Sequence, residues 1–149
     1  MSDIFDEIIK DHEYHRALLQ RVVETHGNSM ERQNVFQELK LDITAHADAE
    51  EQTFYAALLS KPDVQDQARH SIAEHKEADD LIEKLAEMDF SSPGWIAAAE
   101  ELQHKMVHHM DEEEEDVFKL ARQVLSENEI NQLGTKFRQR KQQELASAA

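Results

Sequence analysis

The chain of 149 residues has no cysteine, three glycines and two prolines. Without cysteine there is no disulfide, no thiolate metal site and no thiol nucleophile, so any metal must rest on nitrogen and oxygen donors. So few glycines and prolines leave little turn chemistry for a sheet, and the dominance of Ala, Leu, Glu, Lys and Gln favours helix. Positive charge is also scarce, with 16 Lys and Arg against 32 Asp and Glu, a formal charge of −16. That balance repels phosphate backbones and anionic lipid surfaces, so neither a nucleic acid nor a membrane is expected as a partner. The longest uninterrupted apolar run, Phe54 to Leu59, falls far short of the roughly 20 residues that span a bilayer. The acidic opening Met1-Ser2-Asp3-Ile4-Phe5-Asp6-Glu7 does not read as a secretory leader, whose start is basic. A soluble cytoplasmic protein with one buried core is the expectation.

Turn residues cluster at Gly27-Asn28-Ser29, Ser60-Lys61-Pro62-Asp63 and Ser91-Ser92-Pro93-Gly94. They divide the chain into four long helices, at about 3–25, 30–59, 64–88 and 94–124. Ser92 before Pro93 reads as an N-cap with proline at the first helical position, and Ser126 with Glu129 has capping-box spacing. A fifth helix begins at about 127. The predicted fold is all-α: an antiparallel up-down-up-down four-helix bundle over 1–125, and an additional C-terminal helix over 126–149 that docks through Ile130, Leu133 and Phe137 and frays at its basic, small-residue end.

The apolar stripe of each helix is interrupted by polar groups. Steps of three and four give Phe5, Ile8, His12, His15, Leu19 in the first helix and Leu39, Ile43, His46, Glu50, Phe54, Ala57 in the second. The third carries Ala68, Ile72, His75, Ala78 or Asp79 and Ile82; the fourth carries Met106, His109, Glu113, Val117, Leu120 and Val124. Two ionised carboxylates in one small core demand a compensating positive charge, and no Lys or Arg lies on these stripes. The spacing His-x-x-x-Glu occurs four times, so alone it discriminates little. Stripe membership sorts the pairs: His46/Glu50 and His109/Glu113 face inward, whereas His70/Glu74 and His108/Glu112 read as surface pairs.

An internal repeat strengthens the inner set. His12 precedes His46 by 34 residues, His75 precedes His109 by the same 34, and the two hairpins are offset by 63. Adding 63 to Glu50, Glu51 and Tyr55 gives Glu113, Glu114 and Phe118. Two such hairpins packed face to face bring four histidines and two glutamates to one level, as a two-metal site in a bundle requires. His15 maps to Ala78 and has no partner in the second half.

The segments Asp11-His12, His46-Ala-Asp-Ala-Glu50-Glu51, Glu74-His75 and His108-His109-Met-Asp-Glu-Glu113-Glu114 resemble bacterial hemerythrin-like HHE cation-binding proteins over roughly residues 3–124. The resemblance implies a four-helix bundle with two iron ions in a non-haem, oxo- or hydroxo-bridged di-iron centre. It assigns His12, His46, His75 and His109 as terminal ligands and Glu50 and Glu113 as bridging carboxylates. Hemerythrins proper have a fifth histidine four residues after the first on the third helix, where this chain has Asp79.

Two octahedral ions offer twelve positions, and the implied ligands and bridge leave about two open, which favours redox turnover over reversible carriage. His15 and Asp79 are candidates for an additional ligand. Tyr55 is a weaker one, since an ideal helical wheel turns it away from Glu50. The expected ligand is dioxygen, nitric oxide or peroxide, with catalase-like peroxide breakdown favoured and a non-catalytic gas binder, sensor or iron store as the alternative. A monomer or weak dimer is expected. Apart from Glu113, the acidic run Asp111 to Asp116 reads as a solvated face.

Overall fold

The structure, a computed structural model, describes residues 2–148, and among these the regular structure is entirely helical. Helix α1 (Ile4–Val23) opens with Asp3 as N-cap, in a reciprocal capping box with Asp6. Helix α2 (Met30–Glu50) is capped by Ser29, passes through a π turn (Glu51–Tyr55) and resumes as α3 (Ala56–Leu59). A short 3-10 turn, Pro62–Val64, leads to α4 (Gln65–Glu87). Ser92 and Pro93 start α5 (Pro93–Glu112), which passes through a second π turn (Glu113–Val117) into α6 (Phe118–Val124). Helix α7 (Glu127–Ala148) begins at the expected Ser126/Glu129 box, whose reciprocal bonds measure 3.0 and 3.1 Å.

The bundle pairs α1 with α2 and α4 with α5, and closes through α1 against α5. Helix α7 lies along the α1–α2 seam. It comes close at Gly134, where a Cβ would stand 2.7 to 2.9 Å from backbone atoms of Ser2, Asp3 and Ile4. Of the basic run Lys136, Arg138, Arg140 and Lys141, read from sequence as the start of a frayed end, two residues tie α7 to the bundle: Arg138 pairs with Glu7, and Lys141 with Asp11 and Asp42 at 2.9 and 3.1 Å.

Two apolar clusters fill the bundle, one around Leu39, Trp95 and Leu102, the other around Phe5, Phe54 and Phe118. The inner histidines and glutamates form the layer between them. The Trp95 indole N–H donates to the Leu85 carbonyl at 3.1 Å, and the Arg32 guanidinium packs 4.5 Å from the Trp95 ring. Trp95 belongs to the first cluster and serves its packing.

The π turns correct the predicted stripes. Each accommodates one residue more than an α turn, so the face turned inward advances by one position. After Glu50 the buried residues are Phe54, Tyr55 and Leu58 rather than Ala57. After Glu113 they are Val117, Phe118, Ala121 and Leu125 rather than Leu120 and Val124.

Candidate metal centre

Helices α1, α2, α4 and α5 each aim one imidazole Nε2 at the centre of the bundle. His12 Nε2 faces Glu113 Oε1 at 2.9 Å, and His46 Nε2 faces Glu50 Oε2 at 3.3 Å. His75 Nε2 faces Glu50 Oε1 at 3.0 Å, and His109 Nε2 faces Glu113 Oε2 at 3.8 Å. Each glutamate thus spans a histidine of the first hairpin and one of the second. Two four-residue donor groups result, His12/His46/Glu50/Glu113 and Glu50/His75/His109/Glu113, each compact enough to hold one ion and sharing both carboxylates. Glu50 and Glu113 have no solvent exposure.

The outer nitrogens repeat the same symmetry. His46 Nδ1 meets Asp11 at 2.7 Å and His109 Nδ1 meets Glu74 at 2.9 Å. His12 Nδ1 meets Glu114 at 2.7 Å and His75 Nδ1 meets Glu51 at 2.9 Å. Adding 63 to Asp11 and Glu51 gives Glu74 and Glu114, so every outer contact has a counterpart. A carboxylate accepting Nδ1–H fixes the ring and leaves Nε2 as a lone pair pointing inward, the usual support for a metal-binding histidine. The repeat contained the signal for all four carboxylates, but the partner of each lies on another helix. Glu114, read from sequence as solvated, also binds Arg16 at 2.8 Å.

The donor set fits a cation. Buried His12 Nε2, His46 Nε2, both oxygens of Glu50 and Glu113 Oε1 have no hydrogen-bond partner. Lone pairs from imidazoles and carboxylates converge there in a low-dielectric layer, where an unmatched charge costs several kcal/mol. In the metal-free protein protons supply part of the match. Burial opposes a charged ring, yet Glu50 and Asp11 overcome it and hold His46 up at about 10. Burial likewise opposes a charged His75, but the neighbouring Glu50 carboxylate and its bond to Glu51 hold it up at about 9. Glu50, despite burial, is held well below the usual carboxylate range by His46 and His75.

The additional-ligand candidates separate clearly. His15 is fully buried, but its Nε2 meets Asp42 at 2.6 Å, its Nδ1 has no partner, and it belongs to neither donor group. Burial pulls its pKa down to about 4 against the pull of Asp42. Asp79 is exposed and lines a groove between α2 and α4 with Glu51 and His75. Tyr55, the weakest candidate from sequence, is fully buried and donates its hydroxyl to Glu113 Oε2. The π turn is the reason, because an i→i+5 turn returns the residue five after Glu50 to the inner face. Burial and the charges of Glu113 and Glu50 push this phenol's pKa well above its ordinary value, so it remains a donor.

The histidines read as external, His26, His70, His104 and His108, are exposed. Fold and donor set together define a helical-bundle metal-binding protein. The family profile described as Hemerythrin HHE cation binding domain matches residues 3–121, and the chain belongs to this family. A crystal structure of a hemerythrin HHE cation binding domain-containing protein from Mycobacterium kansasii is similar, with 26% identity and a TM-score of 0.87. That likeness covers 99% of this chain and 90% of the other. No curated protein matches the chain in sequence. No helix of the described residues is long and apolar enough to cross a membrane.

Proposed function

We propose that the chain is a non-haem di-iron protein that breaks down hydrogen peroxide. His12 and His46 would hold one iron and His75 and His109 the other, with Glu50 and Glu113 shared between them. The observation that carries this reading is the pair of donor groups that share both carboxylates, with inner lone pairs lacking any other partner. When bound, two irons supply Lewis acidity and a pair of one-electron couples. Disproportionation of two peroxides to two waters and dioxygen then balances without an outside reductant.

The protein's own groups set the conditions. Asp11, Glu51, Glu74 and Glu114 hold the four rings in one tautomer. The two apolar clusters exclude bulk water from above and below the layer. The α2–α4 groove gives a small ligand a way in beside His75. Tyr55 holds a proton at Oε2 of Glu113, on the side nearer His109. Asp79 is exposed in place of a fifth histidine, so among the described residues His75, His109, Glu50 and Glu113 are the donors that would hold an ion on that side.

The test is peroxide consumption by iron-loaded protein, with and without azide. Turnover that scales with iron content and is blocked by azide is expected. Fully loaded protein that leaves peroxide untouched, and instead binds dioxygen or nitric oxide reversibly when reduced, would make the chain a binder or sensor.

A further inference from the structure

The outer face of the α4–α5 seam carries a second convergence of donors. His70 Nε2 lies 3.0 Å from Glu112 and 3.6 Å from Glu74. His108 Nε2 lies 3.2 Å from Glu112 and 4.0 Å from Glu74. Donor atoms of His70, Glu74 and Glu112 all lie within 4.8 Å of one another, close enough to share one ion, and His108 stands beside them against the other oxygen of Glu112. The sequence shows two separate i,i+4 pairs; the packing of α4 on α5 makes them one cluster.

The pseudo-equivalent face on the first hairpin shows what this cluster lacks. Subtracting 63 from His70 and Glu74 gives Glu7 and Asp11, whose charges are met by Arg138 and Lys141 of α7. Subtracting 63 from His108 and Glu112 gives Ala45 and Ala49, buried on the seam that α7 packs along. Among the described residues no helix packs along the α4–α5 seam as α7 packs along α1–α2. Among the described residues no Lys or Arg pairs with Glu74 or Glu112. Their partners are histidines and the neutral amide of Gln67, 3.2 Å from Glu112. Where the first hairpin has two fixed cations, the second has two carboxylates and two imidazoles.

We propose that His70, Glu74 and Glu112 form a second, outer site for a divalent cation, which His108 beside them would complete as an N2O2 donor set suited to zinc or another late first-row ion. The site is open at the surface, since His70 and His108 are more than half exposed. It is joined to the inner centre by one carboxylate: Glu74 Oε1 accepts from His109 Nδ1 at 2.9 Å while Oε2 faces the outer histidines. An ion on Oε2 draws charge away from the oxygen that supports His109. The proposal does not depend on which ion the inner centre holds.

The experiment dialyses the iron-loaded full chain against a zinc sulfate series and counts both metals per chain by elemental analysis. One added zinc with iron unchanged is expected. The His70→Ala/His108→Ala variant should keep its iron and bind that zinc at least about tenfold more weakly. Glu115→Gln, an exposed change outside the cluster, should bind it like the parent. No added zinc, zinc that only replaces iron, or undiminished binding by the double variant overturns the outer site. Zinc reports the outer site and iron the inner centre, so protein that fails to hold iron contradicts the di-iron reading while the zinc count still decides this one.

Discussion

His12 and His46 face the shared carboxylates from the hairpin that α7 covers, with Phe137 packed 5.3 Å from the His46 ring and Lys141 on Asp11. His75 and His109 face the same carboxylates from a hairpin that has no such cover among the described residues, beside a groove that carries Asp79, Lys76 and Glu51. The repeat makes the two sets of ligands alike, and what surrounds them makes them different. Position 55 is tyrosine on the uncovered side, 5.9 Å from the His75 ring, whereas its counterpart Phe118 packs 4.8 Å from Phe5. Metal retention rests on what the halves share. On the proposed reading, ligand access rests on what they do not.

The largest effect should come from breaking the shared element. Glu113→Gln removes a charge that both donor groups share, so iron per chain should fall from two toward none. Retention of one tightly held iron would mean that the halves bind independently. Next, Tyr55→Phe makes position 55 like position 118. Iron content should hold while kcat for peroxide falls on the order of a hundredfold, with KM little changed. Equal loss of iron and rate would make the phenol a structural support only.

Removing the outer carboxylates compares the halves more finely. Glu51 is the acceptor for His75, whereas Glu114 divides its charge between His12 and Arg16. Glu51→Gln should weaken iron affinity by about ten- to a hundredfold, and Glu114→Gln by less. A chelator competition series measures both, and equal losses would show that the Arg16 contact does not matter. The smallest effect concerns the cover. Gly134→Ala pushes a Cβ against the α1 N-terminus and should cost about 1–3 kcal/mol, read as a lower melting temperature with iron content retained at room temperature. An unchanged melt would mean that α7 does not depend on this close approach.

The helices and the six central residues were legible because long amphipathic stripes with misplaced histidines and glutamates have few other physical explanations. His12, His46, Glu50, His75, His109 and Glu113 all lie where their stripes place them. Two kinds of information were not in the stripes. The π turns after Glu50 and at Glu113 break the 3.6-residue period, so residues beyond them, Tyr55 above all, could not be placed by an ideal wheel. Contacts between helices were also invisible: His70 and His108 lie 38 residues apart, outside the 34-residue repeat, and only packing joins them. The same applies to Glu114, whose exposure pattern is that of a surface residue until His12 and Arg16 are set beside it.

Counting the iron in aerobically loaded protein, alongside its near-ultraviolet and visible spectrum, tests the central claim most directly. Two donor groups joined by Glu50 and Glu113 predict two irons per chain and the charge-transfer absorption of a coupled ferric pair. One ion per chain, or a tightly bound zinc with no iron band, would contradict it.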